Sequence, residues 1–149
     1  MSVFWTILTI VLAFLATEIA GWFTHKYLMH GFLWVLHLDH HRPTKSSLEK
    51  NDLFALIFTV PSVILLVVGA QTGFDTKFWA GAGIALYGLV YFMGHDVLIH
   101  RRLPLWKSTK SRYFQAVIRA HLDHHSGKKN YGFLFMIPWR YFREKYSKT

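Results

Sequence analysis

The chain has 149 residues, of which 52% are hydrophobic, and it carries a formal net charge of +9. A chain of this length is expected to form one domain, residues 1–149. It contains no cysteine, which excludes disulfides and thiolate metal sites. The basic residues flank long apolar runs and do not build a separate basic domain, so we expect no nucleic-acid partner.

Three apolar runs are long enough to cross a bilayer as helices: residues 3–23, 53–70 and 78–94. A helix rises about 1.5 Å per residue, and the hydrocarbon core is about 30 Å thick. So small a domain cannot bury three helices that are apolar all round. We therefore predict an all-α integral membrane protein with about three transmembrane helices plus cytoplasmic and interfacial helices. The first run lacks the flanks of a signal peptide, so we expect it to be retained as a span.

The basic residues predict the orientation of these spans. Of the 17 lysines and arginines, only Lys77 lies in the loop 71–77, and none precedes the first run. By the positive-inside rule, segments 25–52 and 95–149 face the cytoplasm. We therefore expect a multi-pass protein of the cell inner membrane, whose positive charge contacts the anionic headgroups of the lipid bilayer.

All ten histidines lie in these two cytoplasmic segments, five in each and in the same arrangement. In both, a His-x4-His pair precedes the string HLDHH. The pairs are His25/His30 and His95/His100, and the strings contribute His37, His40, His41, His121, His124 and His125. Positions i, i+3 and i+4 share one face of an α-helix, so the three histidines of each string are expected to converge. The aspartates Asp39, Asp96 and Asp123 are candidates to orient a neighbouring imidazole by accepting its N–H.

The His-x4-His pairs do not fit a regular α-helix. Five residues at about 100° each leave the two side chains about 140° apart. Either the helix is distorted locally, or each histidine of a pair approaches a different metal. The sequence leaves both alternatives open.

So many clustered imidazoles at a membrane face would be costly without a metal. One ion needs about four ligands, so ten nitrogens indicate two ions with four or five each. Imidazole suits zinc, copper, iron and nickel, so the ligands alone leave the metal open. We therefore predict a histidine-caged dinuclear site on the cytoplasmic side. Glu18 lies two helical turns before His25, and a carboxylate in a span needs a partner, so we predict a hydrogen-bonding role beside this site.

The histidine arrangement resembles the membrane-bound di-iron hydroxylases of the fatty acid hydroxylase and sterol desaturase superfamily. Four flanking strings more closely resemble its bacterial-type β-carotene 3-hydroxylases, which also carry a glutamate at the place of Glu18. These strings are HKYLMHGFLW at 25–34, NDL at 51–53, YGLVYFMGHD at 87–96 and GFL at 132–134.

The resemblance implies that the ten histidines bind two non-haem iron ions. It implies molecular oxygen as co-substrate and ferredoxin or a similar reductant as electron donor. The implied reaction is hydroxylation of the β-ionone rings of a membrane-dissolved carotenoid, from β-carotene through β-cryptoxanthin to zeaxanthin. Residues that bind the substrate are not identified by this resemblance.

Three other functions are compatible with parts of the pattern. A fatty acyl or sterol hydroxylase or desaturase would share the histidine arrangement, and a carotenoid ketolase would act on the same ring. A membrane metal or haem carrier is expected to place its ligands at the bilayer midplane, whereas these histidines lie at the ends of the spans.

Overall fold

The computed structural model describes residues 1–42 and 48–143, in which the regular elements are all helices and no strand occurs. The predicted cytoplasmic segments also include residues 43–47 and 144–149, which lie outside the described residues. In chain order the elements are α1 (Val3–Phe23), a first π-helix (Thr24–Phe32), α2 (Trp34–His41), a 3₁₀ helix (Lys50–Ala55), α3 (Leu56–Gln71), α4 (Thr76–Tyr91), a second π-helix (Phe92–Ile99), α5 (Arg112–His125) and α6 (Arg140–Arg143).

Within the described residues, three helical stretches are long and apolar enough to cross a membrane: Val3–Phe32, Lys50–Gln71 and Thr76–Ile99. The prediction of an all-helical chain with three long apolar helices is therefore confirmed. The first and third stretches extend beyond the predicted runs because they include the two π-helices, and the chain is kinked at Gly31 within the first of these. Large apolar side chains such as Phe4 and Leu12 are exposed, which suits contact with lipid.

The chain forms two compact units, Met1–Val90 and Tyr91–Thr149. In the first unit, helices α1, α3 and α4 approach one another at small residues. A Cβ atom built on Gly83 would lie 2.5 Å from the carbonyl oxygen of Ile10, and one built on Gly81 would lie 2.8 Å from that of Ser62. The Ser62 hydroxyl donates a hydrogen bond of 2.8 Å to the Gly81 carbonyl. Glycine is required at both positions because the backbones are in direct contact.

In the second unit, α5 presents one face to the interior. Its buried residues are Ala116, Val117, Ala120, His121 and His124. Helix α6 is joined to α5 through Tyr141, which is only 1% exposed. The Tyr141 hydroxyl donates to Asp123 Oδ2 at 2.9 Å, and Arg119 donates to the Tyr141 carbonyl oxygen. These contacts fix α5, the helix that carries the second HLDHH string, against α6.

Candidate metal centre

Both His-x4-His pairs lie in or at the end of a π-helix. In a π-helix, the N–H of one residue bonds to the carbonyl five residues earlier, so residues five apart lie nearly above one another. The N–H of His100 donates such a bond of 2.9 Å to the carbonyl of His95. The ring centroids are 4.6 Å apart for this pair and 5.0 Å apart for His25 and His30. Of the two alternatives that the sequence left open, the structure shows the locally distorted helix.

In the first unit, four histidines form a cluster, which we call cluster 1: His25, His30, His37 and His41. Each offers a ring nitrogen, and these nitrogens all lie within 4.8 Å of one another. The Nε2 atoms of His37 and His41 are 3.2 Å apart, one helical turn from each other on α2. The π-helix supplies the other two, because it turns both members of its pair toward α2.

In the second unit, His95, His100 and His121 form cluster 2, again with nitrogens within 4.8 Å of one another. The Nε2 atoms of His100 and His121 are 2.8 Å apart. The ring of His125 lies beside them, with its centroid 4.5 Å from that of His121 and 5.0 Å from that of His100. Each unit therefore joins a π-helical pair to an HLDHH helix.

The remaining histidine of each string, His40 or His124, is buried. The ring of His40 stacks on that of His37 with centroids 5.2 Å apart. The ring of His124 packs against Tyr131, with centroids 5.5 Å apart. That all ten histidines bind two metals in one centre stays a prediction.

Two side chains that were not predicted as site residues hold imidazoles of α2. The Nδ1 atom of His37 lies 2.6 Å from Asn51 Oδ1, and that of His40 lies 3.0 Å from Glu49 Oε2. Asn51 begins the NDL string, so the family resemblance was a signal for it. No sequence signal pointed to Glu49.

The three aspartates proposed as imidazole partners have different surroundings. Asp96 Oδ2 lies 3.4 Å from His95 Nδ1, and its other oxygen accepts a 2.8 Å hydrogen bond from Arg102. Asp39 accepts the backbone N–H of Lys50 at 2.6 Å. Asp123 accepts from Lys128 and Tyr141. Among the described contacts, only Asp96 therefore lies beside a ring nitrogen, and the other two carboxylates hold neighbouring segments.

Glu18 is buried in the first unit, with 1% of its surface exposed. Its Oε2 accepts a 2.6 Å hydrogen bond from the hydroxyl of Tyr87 on α4. Glu18 therefore has a partner inside the apolar helices and does not extend to solvent. Tyr87 was not predicted as that partner, although it opens the YGLVYFMGHD string. A role of Glu18 in activity stays a prediction.

Aromatic rings cover His95 within the second unit. Tyr91 stacks on it with centroids 4.6 Å apart, and Phe133 lies 5.8 Å away. Phe133 reaches this position because Gly94 has no side chain: a Cβ atom there would lie 2.8 Å from Phe133 Cζ. The GFL string therefore supplies an apolar cover that excludes water from His95, which is 2% exposed.

The donor set fits a transition metal. Burial lowers the pKa of His41, and burial together with nearby His95 and His125 lowers the pKa of His100 to about 3. Both rings are therefore neutral near pH 7, the form that binds metals. Two imidazole nitrogens on one ion at about 2.0–2.1 Å lie about 2.9–3.4 Å apart at angles of about 90–110°. The Nε2–Nε2 distance of 3.2 Å between His37 and His41 lies within this range, and that of 2.8 Å between His100 and His121 lies just below it.

Comparison with known proteins gives a consistent result. The fatty acid hydroxylase family model matches residues 10–143. The β-carotene hydroxylase of Pantoea ananas is 39% identical over 139 residues, which cover 90% of this chain and 79% of that protein. The β-carotene hydroxylase of Pseudescherichia vulneris is 38% identical, over 86% of this chain and 75% of that protein. The chloroplastic β-carotene 3-hydroxylase of an Oncidium hybrid cultivar is 46% identical over 74% of this chain and 37% of its own length. No solved structure matches the chain.

Proposed function

Because the chain belongs to the fatty acid hydroxylase family, we propose that it is an oxygen-dependent β-carotene 3-hydroxylase. The observation that carries this proposal is the occurrence of two imidazole clusters in a chain 39% identical to a β-carotene hydroxylase over most of its length. The reaction converts β-carotene to β-cryptoxanthin and then to zeaxanthin. It inserts one oxygen atom of O2 into the C–H bond at carbon 3 of a β-ionone ring. The other oxygen atom becomes water, which requires two electrons and two protons.

We propose iron as the metal, with one ion at each cluster. Cluster 1 would hold its ion through His25, His30, His37 and His41, and cluster 2 through His95, His100 and His121, with His125 beside them. We extend the ligand set to His40 and His124 because they complete the two strings. Bound iron supplies the activation of oxygen, which no amino-acid side chain provides.

The protein's own groups position the ligands and exclude water. The π-helices turn each His-x4-His pair onto one face, and burial lowers the pKa of His41 and of His100, which keeps these two rings neutral near pH 7. Tyr91 and Phe133 keep an apolar surface against His95, which limits loss of electrons and oxygen species to solvent. The electrons come from an external donor, for which a ferredoxin or similar small protein is our proposal.

The position of the histidines at the ends of long apolar helices suits a substrate that dissolves only in lipid. The three long helices expose apolar side chains, and the π-helices begin where α1 and α4 end. We propose that these helices cross the cell inner membrane and that the histidines lie on its cytoplasmic side. The single basic residue of the loop 71–77, Lys77, supports this orientation.

Expression in a bacterial host that accumulates β-carotene tests the proposal. Pigment chromatography is expected to show β-cryptoxanthin and zeaxanthin, and an inactive control, His37→Ala, is expected to leave β-carotene unchanged. Unchanged β-carotene with the wild-type chain present in the membrane would contradict the proposal. Keto-carotenoids would instead identify a ketolase, and hydroxylated or desaturated fatty acids or sterols in the lipid extract would identify the alternative substrates.

A further inference from the structure

Two oxygen atoms from the start of the 3₁₀ helix lie against the imidazoles of α2. Glu49 Oε2 is 3.0 Å from His40 Nδ1, and Asn51 Oδ1 is 2.6 Å from His37 Nδ1. Both histidines are buried, at 7% and 1% exposure. The contacts are therefore shielded from water and have the length of ordinary or short hydrogen bonds.

These contacts select one tautomer of each ring. A carboxylate or amide oxygen can only accept, so Nδ1 must carry the proton and Nε2 keeps its lone pair. The Nε2 atom of His37 lies within cluster 1, 3.2 Å from that of His41. The nitrogen left with a lone pair is therefore the one that points to the other ligands.

The two acceptors are held in place by further contacts. The backbone N–H of Glu49 donates to Asp52 Oδ2 at 3.0 Å, and that of Lys50 donates to Asp39 Oδ2 at 2.6 Å. The first contact caps the 3₁₀ helix, and the second joins its start to α2. The acceptors are thus positioned by the backbone around them before any ion binds.

We propose that Glu49 and Asn51 are positioning residues for the metal centre, which fix the metal-facing nitrogen of His40 and His37. The negative charge of the Glu49 carboxylate lies beside Nδ1 of His40. Acting through that ring, it stabilises the more oxidised and more positive state of the metal. This inference rests on the proposed function, since it requires that the histidines bind a metal.

Fe²⁺ binding to the full-length chain in detergent, measured without oxygen against a competing chelator, tests the positioning role. Glu49→Ala and Asn51→Ala are each expected to weaken the affinity by about 10–100-fold. Glu49→Gln keeps an accepting oxygen and is expected to recover most of that loss. Lys50→Ala is the matched control, because its exposed side chain is removed while its backbone N–H remains. It is expected to bind Fe²⁺ as the wild type does.

The reduction potential of the iron-loaded chain separates a charge effect from general damage. Glu49→Gln removes a negative charge and is expected to raise the potential, whereas Asn51→Asp adds one and is expected to lower it. General damage to the structure would not shift the reduction potentials of these two variants in opposite directions. Unchanged affinities and potentials, in a wild type that binds Fe²⁺, would overturn this inference alone. A wild-type chain that binds no Fe²⁺ would overturn the proposed function together with it.

Discussion

The contact between α1 and α4 depends on the absence of a side chain at Gly83. A Cβ atom at this position would lie 2.5 Å from the carbonyl oxygen of Ile10 and 2.8 Å from the Cβ of Ala13. Both neighbours are fixed parts of α1 and cannot turn aside. We therefore expect Gly83→Ala to push the two helices apart. Gly88, on the same helix, is the matched control, because a Cβ atom there meets nothing within 4 Å.

The size of the effect follows from the displacement. Restoring ordinary contact requires a shift of about 0.5–1 Å, which forfeits a quarter to a half of the dispersion energy of the contacts affected. Overpacking of this kind costs about 1–3 kcal/mol. The helix propensity gained on replacing glycine by alanine, about 1 kcal/mol, cancels when Gly83→Ala is compared with Gly88→Ala. The two unfolding midpoints are therefore expected to differ by about 4–12 °C, at about 4 °C per kcal/mol.

Thermal unfolding of both purified variants in the same detergent measures this difference by the loss of helical circular dichroism. The same shift would lengthen the 2.6 Å hydrogen bond between Tyr87 on α4 and Glu18 on α1, so zeaxanthin formation is expected to fall in Gly83→Ala only. Indistinguishable midpoints for the two variants would refute the packing argument. An unfolding midpoint that is lower for Gly88→Ala than for Gly83→Ala would refute it as well.

Three further predictions concern the site. His40→Ala and His124→Ala are each expected to abolish zeaxanthin formation and to lose iron. Both variants are expected to remain in the membrane, since the apolar helices are untouched. Wild-type pigment conversion by either variant would show that the histidine it replaces is not needed as a metal ligand. Tyr87→Phe removes the hydroxyl that donates to Glu18 and is expected to lower the free energy of unfolding by about 1–3 kcal/mol. Glu18→Ala is expected to lower both activity and iron content, and normal activity with normal iron content would exclude a role of Glu18 beside the site. Treatment with an iron chelator is expected to abolish hydroxylation. Added Fe²⁺ is expected to restore it, whereas Zn²⁺ is not, because zinc has no redox chemistry. Recovery of hydroxylation with Zn²⁺ would contradict a redox role of the metal.

The features predicted correctly from the sequence are those set by local periodicity. Long apolar runs favour helices in a membrane, and the described residues contain three helices that are long and apolar enough to cross one. The i, i+4 spacing brings His37 beside His41 and His121 beside His125, because one α-helical turn separates each pair. These relations need no knowledge of how distant segments meet.

The π-helices were not predicted because the change from i→i+4 to i→i+5 hydrogen bonding has no simple residue preference. The His-x4-His spacing showed only that a regular α-helix was unsuitable. The acceptors Glu49 and Asn51 were missed for another reason: they are 9 and 14 residues from their histidines, and their approach depends on tertiary structure. Asp39 is adjacent to His40 in the sequence, but neighbours on a helix point about 100° apart, so adjacency alone does not identify the acceptor of an imidazole N–H.

The two HLDHH strings are identical in sequence but have different surroundings. In the first unit, an amide and a carboxylate from the 3₁₀ helix face the Nδ1 atoms of His37 and His40. In the second, the ring of His124 packs against Tyr131 with centroids 5.5 Å apart, and Asp123 accepts hydrogen bonds from Lys128 and Tyr141. The affinity and potential of a metal depend on the partners of its ligands as well as on the ligands. A repeated string therefore does not produce two equivalent surroundings, and for this reason we predict that neither copy can replace the other.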